Sequence, residues 1–459
     1  MNKTSTVQHI SECFIKPKHI PEESKQPVYL ATWDLAMPCV HYIQKGLLFK
    51  KPPSFDEQNQ LPHFLDKLKE SLSLTLIHFY PLAGRLATLK QEDPPLYSMI
   101  VDCNNSPGAR FIQAYANFTI SDILSPTDVP VDIVQAFFDH DRAINHDGHG
   151  QSLLSIQLNE LIDGIFIGCS LNHMIGDGTS YWHFFNSWSE IFKANEIGKD
   201  VTTHGSISRP PIHKRWFPQG YGPILSLPYT HHDQFIIRHE SPILRERFFH
   251  FSNESLAKLK AKANVESGTT KISSLQALSA LIWRCVTRVR RFPPSQVTSC
   301  RMAINNRTRL NPPLHPDYFG NCIQTVKGTA TANELLVEHN NLGWPALLLH
   351  EAILNHKDHA VREIVDAWVQ NPFIYQLGQF FDPCSIMMGS SPRFDMYGNE
   401  FGLGKAVALR SGYANKFDGK VSLYPGYEGG NSMDLEICLL PENMAALECD
   451  PEFMESVNL

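Results

Sequence analysis

Residues 164–192 constrain the fold more than any other part of this sequence, because three backbone patterns follow one another there without a break. An apolar side chain at every second position is typical of a buried strand, and the residues are Ile165, Ile167, Cys169 and Leu171. The next segment, NHMIGDG at 172–178, has two glycines around Asp177, which is typical of a tight turn where φ can be positive. Helical spacing of apolar residues then follows at Tyr181, Phe184, Phe185, Trp188, Ile191 and Phe192. This order predicts an α/β or α+β chain.

The other patterns form two similar halves, separated by one long segment without periodicity. That segment, GKDVTTHGSISRPPIHKRWFPQGYGPILSLP, is rich in Gly, Pro, Ser and Thr, and we interpret it as an extended crossover. A helix is predicted in the first half by Phe64, Leu68, Leu72 and Leu76. In the second half we expect a helix capped by Ser273 and Ser274, a strand through 300–304, mostly helix over 347–369 and a strand pair over 421–440. The predicted organisation is an N-terminal domain over 1–200, a linker over 201–230 and a C-terminal domain over 231–459.

Charge and composition exclude several classes of protein. With 40 Lys and Arg against 47 Asp and Glu, the net charge of −7 gives no basic footprint for nucleic acid. The longest apolar stretches fall far short of the roughly 20 residues of a membrane span, and the N-terminal segment lacks the apolar core of a signal peptide. Ten cysteines without a CxxC pair predict reduced thiols, so a cytoplasmic protein without a membrane or nucleic-acid partner is expected.

His173, at the end of the predicted strand, is the candidate catalytic residue. An imidazole partly removed from water at a strand end suits a general base, because its pKa lies near neutrality. The spacing alone also allows a structural interpretation, in which His173 is one of 21 histidines in the core or on the surface and Asp177 is a turn or cap residue.

Other chemistries find less support in the residues. His140, His146 and His149 lie among aspartates, but FDHDRAINHDGHG is typical of a polar loop, and we predict no metal site. The chain has no GxSxG elbow, no GxxxxGK[ST] loop and no GxGxxG after a strand. Cys169 lies four residues before His173, but strand alternation directs it into the core. The run Arg288, Arg290 and Arg291 ends a helix, where cations are favoured.

Five ordered blocks resemble the plant BAHD acyltransferases. They are YPLAGRL (80–86), NHMIGDG (172–178), SSLQALSALIWRCV (273–286), NNRTRLNPPLHPDYFGN (305–321) and EFGLG (400–404). Their order and spacing agree with the family from about residue 10 to residue 453. The opening residues WDLA (33–36) and VHYIQKGLLFKKP (40–52) resemble one subgroup whose substrates are diverse.

The resemblance implies two domains of the chloramphenicol-acetyltransferase type, with His173 at their interface in a channel. A segment near 370–395 is expected to pack with the N-terminal domain. Acyl-CoA would be a co-substrate rather than a bound cofactor, the other partner would be a small-molecule acceptor, and the protein would be a monomer. His173 would deprotonate the acceptor hydroxyl or amine.

The same resemblance assigns supporting roles to the other motif residues. Asp177, beside Gly178, would turn away from the site and pair with Arg307 or Arg309, of which we prefer Arg307. Contacts with CoA are expected from two groups: Lys271, Ser273 and Ser274 at the helix start, and Gly402, Leu403 and Gly404 in the late loop.

Two departures from the family pattern concern its substrates. The block that usually reads DFGWG is EFGLG here, so Leu403 lacks the area and the N–H donor of an indole. The Ser-Trp dipeptide that touches the acceptor in some members is Ser390-Ser391. We expect acyl transfer from CoA to a plant specialised metabolite. The alternatives are a lyase of a conjugate on the same fold and a non-catalytic binding relative, neither of which needs a general base at this turn.

Overall fold

The computed structural model describes residues 7–56, 59–93, 96–104, 106–196, 207–380 and 382–457. Its strands, in chain order, are β1 (Val7–Ile15), β2 (Val28–Tyr29), β3 (Ile43–Lys50), β4 (Arg85–Gln91), β5 (Leu96–Asp102), β6 (Ala109–Ala116), β7 (Leu154–Glu160), β8 (Gly164–Leu171), β9 (Arg245–Phe251), β10 (Val297–Asn305), β11 (Ile323–Thr331), β12 (Ile386–Ser390), β13 (Ala408–Ser411), β14 (Lys420–Pro425) and β15 (Met433–Leu439).

The helices, in chain order, are α1 (Thr32–Leu35), α2 (Gln60–His78), α3 (Ile120–Leu124), α4 (Val131–Gln135), α5 (Gly178–Glu196), α6 (Asn253–Glu266), α7 (Ser274–Val289), α8 (Gly343–Asn355), α9 (Asp358–Gln370), α10 (Leu377–Phe380), α11 (Pro441–Leu447) and α12 (Pro451–Val457). Among the described residues, no helix has both the length and the apolar character that crossing a bilayer requires.

Two six-stranded mixed sheets form the framework. The first sheet has the order β1-β6-β7-β8-β3-β13, and the second has the order β11-β10-β12-β14-β15-β9. A smaller sheet has the order β2-β5-β4. The mixed α/β class expected from the sequence is therefore confirmed.

Each large sheet packs against its own helices. In the first core, α5 lies against α2 and β8, and Trp188, Phe184 and Phe185 are fully buried. In the second core, α7 buries Leu278, Ile282 and Trp283 against β10, β12 and β14. The amphipathic patterns read from the sequence thus correspond to the faces that fill the two cores.

The two sheets exchange chain segments. Strand β13 comes late in the chain but pairs with β3, so that residues 408–411 complete the first sheet. Ile374 and Leu377 also pack in the first core, whereas β12 (Ile386–Ser390) belongs to the second sheet. Phe394, at the end of the segment 370–395, also packs against the first core, while β12 pairs with β10 and β14. The domain boundaries themselves stay a proposal.

The local expectations are confirmed. The late strand pair is β14 and β15, and Ser273 is the N-cap of α7, where its Oγ accepts from the Gln276 N–H. The stretch 347–369, expected to be mostly helix, is formed by parts of α8 and α9 with a short break between them. Arg309 donates to the carbonyl oxygens of Ile353 and His356 at this break. Of the crossover, residues 198–206 lie outside the described residues.

Candidate active site

The strand, turn and helix of residues 164–192 place His173 at the edge of the first sheet. Strand β8 is buried along its whole length, and the turn after it is fixed by Asn172, whose side chain donates to Asn145 O at 2.7 Å. Gly176 and Gly178 do not have positive φ, contrary to the possibility raised by the sequence. Gly176 is needed for a different reason, because a Cβ there would overlap the side chain of Ser180.

His173 is held from both its backbone and its ring. Its N–H donates to Asn145 Oδ1 at 2.7 Å, and its ring Nδ1 lies 3.1 Å from Asn321 Oδ1. Burial is the main cause that lowers the pKa of His173 below the ordinary histidine value, because it disfavours the charged imidazolium. The imidazole is therefore neutral at neutral pH and able to accept a proton.

The orientation of Asn321 decides which ring nitrogen carries the proton. The Asn321 amide nitrogen donates to Asp34 Oδ1 at 2.9 Å and to His173 O at 2.7 Å, so its oxygen is the atom that faces Nδ1. Because an amide oxygen only accepts, Nδ1 bears the hydrogen and the lone pair lies on Nε2. Asp34 is held in turn by Arg215, whose Nε donates to its Oδ2 at 2.9 Å in a fully buried pair.

Asp177 points away from His173, toward the second half of the chain. Its two oxygens accept from the Arg307 guanidinium at 2.7 and 3.0 Å. Oδ1 also accepts from the Ser180 N–H, as an N-cap of α5 does, and Oδ2 accepts from the Cys322 N–H. Burial alone would raise the pKa of Asp177, but Arg307 and these donors lower it below its usual value, so the carboxylate is charged.

Arg307 is the arginine that pairs with Asp177, and Arg309 is not. Arg307 is 2% exposed, and its remaining donors reach the Tyr318 and Gly320 carbonyl oxygens and the Ser180 hydroxyl. Arg309 instead donates to the carbonyl oxygens at the end of α8. The Asp177–Arg307 pair thus joins the turn after β8 to the loop after β10.

A cavity of about 280 Å³ opens at His173, a volume that suits a small organic molecule. Its wall on the first-sheet side is apolar for the most part and includes Met37, Val40, Ile43, Tyr181 and Trp182. The outward face of the second sheet forms the other wall, with alternate residues Ala303, Asn305, Ile323, Thr325, Met387, Gly389, Lys420 and Ser422. Asp177 does not line this cavity.

Comparison with known proteins places this geometry in a family. A family model described as "Transferase family" matches residues 5–454. An uncharacterized acetyltransferase of Arabidopsis thaliana is 35% identical over 98% of this chain and 99% of its own length. The BAHD acyltransferase DCR of the same plant is 33% identical, over 98% of this chain and 93% of its own.

The chain belongs to the BAHD acyltransferase family. It is therefore an acyltransferase that uses acyl-CoA, as the five blocks in its sequence predicted. The crystal structure of vinorine synthase has the same fold, with a TM-score of 0.73 and 21% identity over 98% of both chains. F. graminearum TRI101, complexed with coenzyme A and T-2 mycotoxin, gives a TM-score of 0.73 at 18% identity, over 94% of this chain and 98% of that one. These likenesses confirm the expected two-domain fold.

The residues expected to contact CoA in this BAHD enzyme lie outside the cavity. Lys271 is exposed, Ser273 uses its hydroxyl to cap α7, and Ser274 follows at the first turn. Gly402 and Gly404 have φ of 70° and 78°, so the late loop needs glycine at both positions. Between them, Leu403 is half-buried against the first core, where the neighbouring Phe401 packs on Trp188 at a ring distance of 4.7 Å.

The cysteine and histidine candidates considered from the sequence lie outside the cavity of the BAHD site. Cys169 is buried in the first core, does not line the cavity, and burial raises its pKa to about 12. Of His140, His146 and His149, none lines the cavity, and the ring centroids of His146 and His149 lie 4.4 Å apart. In the described part of the chain, the three groups that could converge on a metal ion are His231, His232 and Asp233, outside the cavity.

Sequence reasoning missed several residues that shape this BAHD site. Asn321 and Asp34 lie in two of the segments that resemble the family, and that resemblance was the signal that could have pointed to them. Their spacing does not indicate that two residues 287 positions apart form a hydrogen bond. Lys45 and Lys420 also went unnoticed, because a lysine near a strand end is ordinary in sequence. Both line the cavity in the folded protein.

Proposed function

We propose that His173 is the general base of an acyl transfer from CoA to a small hydroxyl- or amine-bearing acceptor. The observation that carries this proposal is the bond between Nδ1 and Asn321, which leaves Nε2 of a neutral imidazole available at the cavity. Nε2 takes the proton of the acceptor as the acceptor oxygen or nitrogen attacks the thioester carbonyl carbon. When the tetrahedral intermediate collapses, the C–S bond breaks and the imidazolium returns the proton to the leaving thiolate.

Both substrates must be bound before either product leaves. None of the described cavity residues is a cysteine, and Cys169 is buried in the core with a raised pKa, so direct attack is favoured over a covalent thioester on the protein. Positioning the acceptor against the thioester, together with the shared proton, supplies the rate enhancement. Asp177 acts in this scheme as a positioning residue, because its carboxylate holds Arg307 and the start of α5 rather than facing the cavity.

The two proposed substrates are an acyl-CoA donor and a small-molecule acceptor. The pantetheine and nucleotide parts of CoA extend beyond a cavity of this size, and Lys271, Ser273, Ser274 and the loop of Gly402, Leu403 and Gly404 are our candidates for contacting them. The acceptor is a plant specialised metabolite, and relatives named for shikimate, piscidic acid and anthranilate illustrate the range. A neutral base at the cavity favours transfer over a binding protein or a lyase.

The state of the cysteine thiols supports a proposal for the cellular compartment. All ten cysteines are free, which supports a reducing compartment such as the cytoplasm. A monomeric enzyme with no resident cofactor or metal remains our prediction.

The test is release of free CoA from a panel of acyl-CoAs and acceptor extracts. We expect His173→Ala to lower kcat by about 10²–10⁴-fold, the usual contribution of a general base, with an unchanged melting temperature. His359→Ala, which removes an exposed histidine on α9, is the matched control and should keep full activity. A His173→Ala enzyme that kept more than about a tenth of the rate would disprove the assignment.

A further inference from the structure

Lysines but no described carboxylates line the cavity at His173, and Glu436, whose charge reaches both lysines, does not line it. Two lysines line it, Lys45 from β3 and Lys420 from β14, whereas no described Asp, Glu or Arg does so. Buried ammonium groups are costly unless an anion or a set of acceptors compensates them. The partners of each lysine therefore indicate whether the cavity needs an anion from outside.

Lys45 has a hydrogen-bond acceptor within the protein, although burial lowers its pKa to about 8. Its Nζ donates to the Tyr424 hydroxyl at 2.5 Å, and that hydroxyl donates to Glu436 at 2.8 Å. Glu436 is saturated by these neighbours, because its oxygens also accept from Ser411 at 2.6 and 2.8 Å and from Lys416 at 3.0 Å. Lys416 pairs with Glu246 as well. The two carboxylates of this cluster are thus used by two lysines, Lys45 and Lys416.

Lys420 is the lysine left over. Among the described residues its ammonium makes no hydrogen bond or ion pair, and it extends across Gly389, where a Cβ would overlap it. Its cross-strand neighbour Cys438 offers no charge, because burial raises the pKa of that thiol well above its ordinary value. Burial lowers the pKa of Lys420 to about 8, which still leaves the ammonium mostly protonated at neutral pH.

The place of Lys420 relative to His173 limits what it can bind. Both side chains line the same cavity, and the charge of Lys420 is close enough to lower the pKa of His173. The thioester must lie at His173 to react, and the long uncharged pantetheine arm then keeps the CoA phosphates away from this point. An anion at Lys420 therefore belongs to the acyl group or to the acceptor.

We propose that Lys420 binds a carboxylate carried by one of the two reactants, either an acidic acceptor or the free carboxylate of a dicarboxylic acyl group. This inference rests on the acyl transfer proposed above and specifies its substrate class. Gly389 also belongs to this subsite, because a side chain at that position would overlap the Lys420 ammonium.

The test compares matched ligands by calorimetric titration. The acceptor arm uses meta-hydroxybenzoate and its methyl ester, and the donor arm uses malonyl-CoA and acetyl-CoA. In at least one arm we expect the carboxylate ligand to bind roughly ten- to a hundredfold more tightly, as a charge-assisted hydrogen bond provides. The arm in which the preference appears identifies the reactant that carries the carboxylate.

Variants then assign the preference to Lys420. Lys420→Met should abolish it, and Lys420→Gln serves as a second variant with a polar end in case the first does not fold. Lys327→Met removes an exposed lysine from β11 of the same sheet and should keep the preference. The inference is overturned if the wild type prefers neither carboxylate, if the preference survives both Lys420 variants, or if Lys327→Met loses it equally.

Binding and turnover separate this inference from the proposed function. His173→Ala should keep the carboxylate preference while it loses CoA release. A wild type that binds with the preference but releases no CoA would contradict the acyl transfer and leave the subsite standing. A wild type that releases CoA but shows no carboxylate preference would contradict the subsite and leave the acyl transfer standing.

Discussion

The ion pair between Asp177 and Arg307 should stabilise the protein rather than take part in the chemical step. Asp177→Asn keeps the shape of the side chain but leaves Arg307 as a buried charge without its counter-ion, and turns one accepting oxygen into a donor that faces the guanidinium. Breaking a buried pair by removing one partner costs about 3–5 kcal/mol. With Asp177 at 0% and Arg307 at 2% exposure, solvent cannot compensate for the loss, so we expect a decrease in the free energy of unfolding within that range.

Urea unfolding of five variants, including the double variants Asp177→Asn/Arg307→Met and Asp177→Asn/Arg309→Met, measures this coupling. Fluorescence and circular dichroism followed together show whether the two halves unfold in one transition. Asp177→Asn and Arg307→Met should each destabilise, and the double variant should lose less than the sum of the two, because one substitution already breaks the pair. Arg309→Met is the matched control: it removes hydrogen bonds to backbone carbonyl oxygens, and its effect should add to that of Asp177→Asn.

Three results would refute this reasoning. An Asp177→Asn protein whose free energy of unfolding lies within about 0.5 kcal/mol of the wild-type value would show that the pair does not stabilise the fold. Normal stability together with lost turnover would instead place Asp177 in the reaction. Additive effects of Asp177→Asn and Arg307→Met would mean that the two side chains are not coupled in solution.

Three further predictions concern the reaction. The apparent pKa of the acid limb of the kcat/KM pH profile should lie below the ordinary histidine pKa of about 6.5, because the lowered pKa keeps His173 deprotonated down to lower pH. An apparent pKa above that value would contradict the prediction. Initial rates against one substrate at several levels of the other should intersect, whereas parallel lines or an acyl adduct on the protein would indicate covalent catalysis. Leu403→Trp adds the indole found in related loops and should tighten CoA binding in calorimetric titration; an unchanged affinity would remove the loop from the proposed CoA site.

Local structure was predictable where one pattern determines it. The periodicity of β8 and α5, with glycines between them, predicted both elements, and Ser273 predicted the start of α7. The break between α8 and α9 was not predictable, since neither glycine nor proline marks it. Arg309 and the bond between His356 and Asn306 hold it in place, and these contacts come from a distant part of the chain.

The site was predictable only in part, for a related reason. The two glycines and the strand end pointed to His173, while the choice between Arg307 and Arg309 needed the fold. The tautomer of His173 depends on Asn321, Asp34 and Arg215, which three separate segments bring together. Spacing in sequence carries no information about such a chain of hydrogen bonds.

The late return of β13 to the first sheet determines when that sheet can be finished during synthesis. Strand β3, with the apolar run of Leu47, Leu48 and Phe49, has β8 on one side, and among the described residues its other edge pairs with residues 407–411. Until the ribosome has made most of the second half, this edge offers unpaired N–H and C=O groups to any neighbouring chain. A fragment that ends in the crossover would keep that edge open and should aggregate. The nascent chain is therefore most vulnerable while its second half is still being translated.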